Sequence, residues 1–275
     1  MRFITRFSCI VAALALTIGF VTLTAAHAGV GNPGVGLGSG NNGNPGVLPP
    51  ASNPFGKSYG EWSAKWWQWA ISLPTTAHPL FDNADCNTGQ SGHVWFLGGS
   101  FVNSTATRSC TVPAGTPIFL PIVNSECSTA ELDPFHGSTE AEMRACAKGF
   151  IDCTSGVFAT IDGRVIQNLG NTGPYRVQSP LYSFSAPDNN VLFVPGPVSG
   201  ESVSDGFWLM LAPLSAGQHT LHFGGVFNCL PIFSLTIDQT YNLTVLPGGR
   251  GRGQVESDPG VQQGTWGLVK QLYRR

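Results

Sequence analysis

The chain has 275 residues, of which 42% are hydrophobic and only 11% charged, with a formal net charge of −2; an average soluble domain has roughly 25% charged residues. So few charges cannot furnish the flanking positions of a coiled coil, and the near-neutral balance argues against a nucleic-acid binder working through a basic surface. The hydrophobic content argues against charge-driven disorder, and 35 glycines with 20 prolines point to a turn-rich, mainly β chain.

Residues 1–28 read as a secretory signal peptide. Arg2 and Arg6 supply the positive start, Ile10 to Leu23 form an uncharged apolar run, and Ala26-His27-Ala28 gives the cleavage pattern. The apolar run is shorter than a membrane span requires. Residues 29–56 contain no charge and carry Gly-Asn-Pro-Gly-Val twice, the composition of a flexible Gly/Asn/Pro-rich spacer. Gly38 to Gly43 spells G-x-G-x-x-G, but no strand precedes it and no helix follows, so it does not read as a dinucleotide site.

A single β-rich domain is expected over 57–247. Ser58 and Glu61 have capping-box spacing, which predicts a helix from Ser58 to Leu73, stopped by Pro74. Tyr59, Trp62, Trp66, Trp69 and Leu73 share one face of it, while Trp67 lies off that stripe and is expected to be the exposed tryptophan. Strands are expected at 93–97, 107–112, 116–123, 156–161, 164–169, 175–185, 191–194, 206–212, 218–224 and 232–246. Asp162-Gly163 signals a tight hairpin, and Ser215-Ala216-Gly217 a second turn. Thr139 and Glu142 predict a short helix over 139–149. The architecture expected is a disulfide-stabilised β-sandwich or jelly roll. Residues 248–275 form a Gly/Arg-rich tail with a short amphipathic end. The charge is divided: residues 57–247 carry seven basic and fourteen acidic groups, the tail five basic and two acidic.

Cys9 lies in the signal segment, which leaves Cys86, Cys110, Cys127, Cys146, Cys153 and Cys229. An even count behind a signal peptide implies disulfides. Of the fifteen connectivities, we favour Cys86–Cys110 and Cys127–Cys146 as local bridges with Cys153–Cys229 as the long one. No C-x-x-C occurs, which argues against a zinc cluster.

The blocks Tyr59 to Trp69 (YGEWSAKWWQW), Val94 to Phe101 (VWFLGGSF), Ser109 to Gly115 (SCTVPAG) and Ser204 to Leu211 (SDGFWLML) resemble an uncharacterised family of secreted bacterial proteins. The resemblance implies export from a bacterial cell and carries over no activity and no site residue.

Chemistry-bearing residues are few. No G-x-S-x-G, H-E-x-x-H or phosphate-loop motif is present. His219 and His222 are three apart on an expected strand, so they point to opposite faces, and the polar surroundings of His222 make it the better functional candidate. Glu126, Asp133 and His136 fall in the expected connection after strand 116–123, where a carboxylate beside an imidazole would suit acid–base work. An enzyme site would draw on His93, Glu126, His136, Asp205 and His222 if they converge. Asp82, Asn83, Asp85 and Asn87 form an oxygen-rich loop that calcium would accept, although Asx-turn chemistry explains the same residues. Trp67, Trp95 and Trp208 are the candidate ligand-binding aromatics, since flat rings stack on sugars. The leading expectation is an exported binding or structural protein, its ligand a glycan or an envelope component. The alternatives are a secreted hydrolase or metal-dependent enzyme of unfamiliar type and a surface protein docking through its tail.

Overall fold

The computed structural model describes residues 44, 46–81, 84–99 and 104–248. The expected signal peptide, spacer residues 29–43, Asp82, Asn83 and tail residues 249–275 lie outside the described residues.

Helix α1 (Tyr59–Ser72) starts where the cap predicts. The Ser58 side chain accepts from the Glu61 backbone N–H, and the Glu61 carboxylate accepts from the Ser58 backbone N–H at 2.7 Å, so two otherwise orphaned donors are satisfied. Tyr59, Trp66, Trp67 and Trp69 are all buried. The expectation that Trp67 is exposed is therefore corrected: only 4% of it is accessible, and its ring meets Trp66 edge-on at 5.1 Å. The helix is covered on more than one side, so both flanks of its apolar stripe are packed.

The body is mainly β, in two five-stranded sheets. The first contains β1 (Trp95–Phe96), β3 (Ile118–Ser128) and β8 (Val198–Leu211), with β6 (Arg176–Gln178) and β7 (Tyr182–Ala186) both paired to β8. The second runs β2 (Ser104–Val112), β10 (Phe233–Val245), β9 (Gly217–Cys229), β4 (Thr154–Ile161), β5 (Arg164–Val165). Pairing is antiparallel except for β1 with β3 and β2 with β10. At the β4–β5 turn Asp162 and Gly163 take φ of 50° and 75°, the double left-handed geometry that the dipeptide signals. Residues Ser202 to Leu211 of β8 are buried without alternation, because that strand is covered on both faces. The sheets approach closely at Gly225, where a Cβ would lie 2.8 Å from Val123 Cγ2.

Helix α2 (Glu140–Asp152) has a second capping box at Thr139 and Glu142. It runs three residues past Gly149, because Phe150 and Ile151 are buried and anchor the last turn. Residues 191–194, expected as a strand, are a turn. The Asn190 amide accepts from the Leu192 and Val194 N–H groups and donates to the Pro187 and Val194 carbonyls, so a side chain supplies the partners that a neighbouring strand would offer. The expected strand 175–185 is split at Ser179-Pro180-Leu181 into β6 and β7, since proline cannot donate to a ladder.

Order begins earlier than residue 57. Val47 bridges to Leu211, the Leu48 N–H donates to Met210 O, and buried Asn44 donates to the Tyr175 hydroxyl at 2.9 Å. The disulfides are Cys86–Cys110, Cys127–Cys146 and Cys153–Cys229, the pairing favoured from sequence. Among the described residues no helix is long and apolar enough to cross a membrane.

Candidate functional site

Strand β1 pairs with β3 only at Ile118 and Phe119. Beyond that point β3 continues to Ser128, and among the described residues it pairs with β8 on one side only, apart from a single bridge of Ser128 to His136. Pro121 stands on this stretch, where proline is tolerated because one edge needs no donor. A cavity of about 510 Å³ opens here, lined by Pro121, Ile122, Asn124, Ser125 and Glu126 of β3. Neighbours in a strand face opposite ways, so a cavity that touches both of each pair lies along the strand edge. Trp66 and Trp67 of α1 and Phe233, Leu235 and Ile237 of β10 complete its walls. Loops 131–135 and 191–194 form the rim, where Leu132 and Phe193 are 81% and 72% exposed.

The lining is predominantly apolar, and its charged chemistry is acidic: Glu126, Glu131 and Asp133, with no lysine, arginine or histidine among the described residues. Glu126 is buried and its carboxyl hydrogen-bonds to that of Glu131. The Ser202 hydroxyl donates to Glu126 Oε2, and the Ser128 hydroxyl donates to Glu131 Oε2 at 2.9 Å. Burial pushes the titration of both carboxyls upward. The Glu126 charge raises Glu131 further, because two carboxylates in contact cannot both ionise outside water. The pair therefore keeps a proton at neutral pH. Burial, then the neighbouring Glu126, also holds the Tyr182 phenol well above its usual range.

The two cavity-lining side chains Trp67 and Asn124 carry fully buried N–H groups, Nε1 and Nδ2, without a hydrogen-bond partner. An unmet buried donor costs about 1–3 kcal/mol, and neither nitrogen presents accessible surface to the cavity.

Of the five expected enzyme residues only Glu126 lines this cavity, and it sits on β3 itself, not on a loop after it. The structure does not bring the five together. His136 is exposed on the loop, with Nδ1 2.9 Å from Glu131 O and Nε2 3.0 Å from the Ser138 hydroxyl. His222 lies on the outer face of the second sheet, its Nε2 2.7 Å from Asp238 Oδ1. His219 faces the other way, with Nδ1 2.8 Å from Asp162 Oδ2. Burial opposes its protonation, but Asp162 and the Ser215 carbonyl outweigh it and raise the imidazole. His93 is exposed on a bend. Asp205 is buried and accepts from Arg176 Nε and Nη2 at 3.1 and 3.0 Å, and it shares the neutralising of that cation with Asp152 at 2.8 Å. Of the aromatic candidates, Trp67 lines the cavity. Trp95 is half-buried on β1, and Trp208 is fully buried, stacked on Phe119 at 5.1 Å. The backbone carbonyls of Asp85 and Asn87 accept from the Thr88 and Gln90 N–H groups in turns. Among the described residues no cluster of three or more metal-ligating side chains occurs.

Glu131 was not among the sequence candidates. It lies five residues from Glu126 beyond a chain reversal, and only the return of the loop, where Gly137 N–H donates to Ser128 O and Ser128 N–H to Phe135 O, sets the two carboxyls side by side. The available signal was a second glutamate following Cys127 in a segment tied down by a disulfide.

No family model matches the chain, and no curated protein matches it. Among solved structures, the solution structure of amebosin is similar at 10% identity over 56% of this chain and 100% of that one, with a TM-score of 0.16, a likeness too slight to support any argument.

Proposed function

We propose that this is an extracytoplasmic binding protein that takes a small, mainly apolar molecule into the cavity beside β3 and holds its polar end on Glu126 and Glu131. The observation that carries the reading is a pair of largely buried carboxyls, Glu126 and Glu131, lining a predominantly apolar cavity. The volume falls in the range of about 300–1,000 Å³ typical of small-molecule sites. The signal-peptide pattern supports export, and the three disulfides fit an oxidising compartment. A sugar-stacking role has less support, because Trp66, Trp67, Trp69 and Trp208 are all buried.

The test is a titration of purified protein with the neutral dye Nile red, with native mass spectrometry for co-purifying molecules. Dye fluorescence should rise and be reversed by an apolar competitor, and Trp67→Ala should weaken binding. A protein that neither brightens the dye nor carries any bound molecule would remove the reading.

A further inference from the structure

We infer that His219 is a fixed imidazolium that latches the connection between β8 and β9 onto the β4–β5 turn, and that rising pH opens this latch. The latch stands apart from the cavity and uses none of its residues.

The surroundings of the two ring nitrogens carry the inference. His219 Nδ1 lies 2.8 Å from Asp162 Oδ2, and Nε2 lies 2.9 Å from the backbone carbonyl oxygen of Ser215. A carboxylate oxygen and a carbonyl oxygen can only accept, so each nitrogen must bring its own hydrogen, and an imidazole with two N–H groups is a cation. The Ser215 hydroxyl lies 3.3 Å from Nε2 and would donate to a neutral ring, but that ring would turn a lone pair on the nearer carbonyl. Asp162 is fixed in its turn. Its Oδ1 accepts from the Thr220 N–H at 2.8 Å, and its own N–H donates to Thr220 O. Burial opposes ionisation of Asp162, but His219 and the Thr220 N–H hold its carboxyl below the usual range, so it serves as the acceptor.

Three segments far apart in sequence therefore meet at one ring: the β4–β5 turn, the connection before β9, and β9 itself. The same connection holds the start of the ordered body, since the Ala212 N–H donates to Gly46 O. Among the described residues, the charged groups bearing on the ring are Asp162 and, through Asp162, Arg164 of β5, whose charge also favours the carboxylate. β10 sets the uncharged Leu243 opposite His219, and His222 lies on the outer face. Only 12% of the His219 side chain is accessible, so water cannot freely replace a lost partner. When the ring gives up a proton, either the carboxylate or the carbonyl faces a bare nitrogen. The latch is complete below the ordinary histidine value of about 6.5 and is lost as pH rises through the higher titration of the folded ring.

The experiment follows the His219 ring by NMR in the purified full chain, from acid to alkaline pH, with amide exchange at Thr220 expressed as a protection factor. The ring resonance, identified by its loss in His219→Gln, should titrate above about 6.5. Asp162→Asn should bring it down to that value or lower, because asparagine keeps the left-handed turn but not the charge. Thr220 protection should weaken by about tenfold as pH passes from the ordinary to the folded titration, and in His219→Gln it should no longer follow that step. His222→Ala should leave both readings as in the wild type. Thermal melts in acid establish that each variant is folded. A ring that titrates at or below the ordinary value overturns the inference, as does Thr220 protection that ignores pH or keeps the same step in His219→Gln. These local readings separate the latch from the carboxyl pair beside β3, which His219→Gln leaves intact.

Discussion

At Glu126 and Glu131 two acids occupy a place from which water is largely excluded, and this sets a direction for pH. Their folded-state titrations are raised by burial and by each other, so the folded protein holds a proton that the unfolded chain gives up near the ordinary carboxyl value of about 4.3. The associated stability is fully present below that value and is lost as pH rises toward the folded titration. The melting temperature should therefore fall from mildly acid to neutral pH. Glu131→Gln, which carries no proton to lose, should flatten that slope and melt higher than the wild type at neutral pH; a parallel decline in both proteins would count against the buried pair. Asp205 presents the opposite case. Arg176 meets Asp205 and Asp152, but only Asp205 is buried with it. Burial opposes the Arg176 charge, and the carboxylates more than restore it. Asp205→Ala removes the buried one of the two carboxylates and leaves Arg176 with Asp152, at a cost of about 1–3 kcal/mol. Urea titration should show that loss, while Nile red affinity of the folded fraction stays unchanged.

Elements with a local cause were legible before the fold was known. Both helix starts follow from Ser58–Glu61 and Thr139–Glu142, and the β4–β5 turn from Asp162-Gly163. Ser58→Ala should cost about 1 kcal/mol in a denaturant titration, since it removes one side of the capping box. Where the reading failed, the cause was tertiary. Trp67 is buried because packing covers both flanks of α1, and no helical wheel shows what lies beyond the helix. Residues 191–194 have the composition of a strand, yet the Asn190 amide had already taken their backbone partners. Glu126 was identified by residue chemistry alone, whereas Glu131 became its partner through a loop closure with no local signature. That closure is held by Cys127–Cys146, one residue from Glu126. Replacing both cysteines with serine opens a loop of sequence separation 19 and should cost about 3 kcal/mol. Because the bridge also fixes the carboxyl pair, dye affinity should fall more than the lost stability explains, measured at a temperature where the variant remains folded.

The two sheets approach each other closely at a glycine. At Gly225 a methyl group would press on Val123 Cγ2 at 2.8 Å, and a short branched side chain has little room to yield. Gly225→Ala should destabilise by about 1–3 kcal/mol, read as a lower melting temperature; an unchanged melt would mean that the sheets slide apart easily. Covalent bonds follow the same path as the packing. Cys127 of β3 is bound to Cys146 of α2, and Cys153 at the end of α2 is bound to Cys229 of β9, so α2 is a buckle that links one sheet to the other.

The pairing also has a directional order. Along the chain the first cysteine of the body joins the second, the third joins the fourth, and the fifth joins the sixth. A polypeptide delivered N-terminus first into an oxidising space would meet each correct thiol before any wrong one from a later pair arrives. Oxidation in step with delivery thus reaches the native connectivity without reshuffling, whereas a full-length reduced chain released all at once must sort among fifteen.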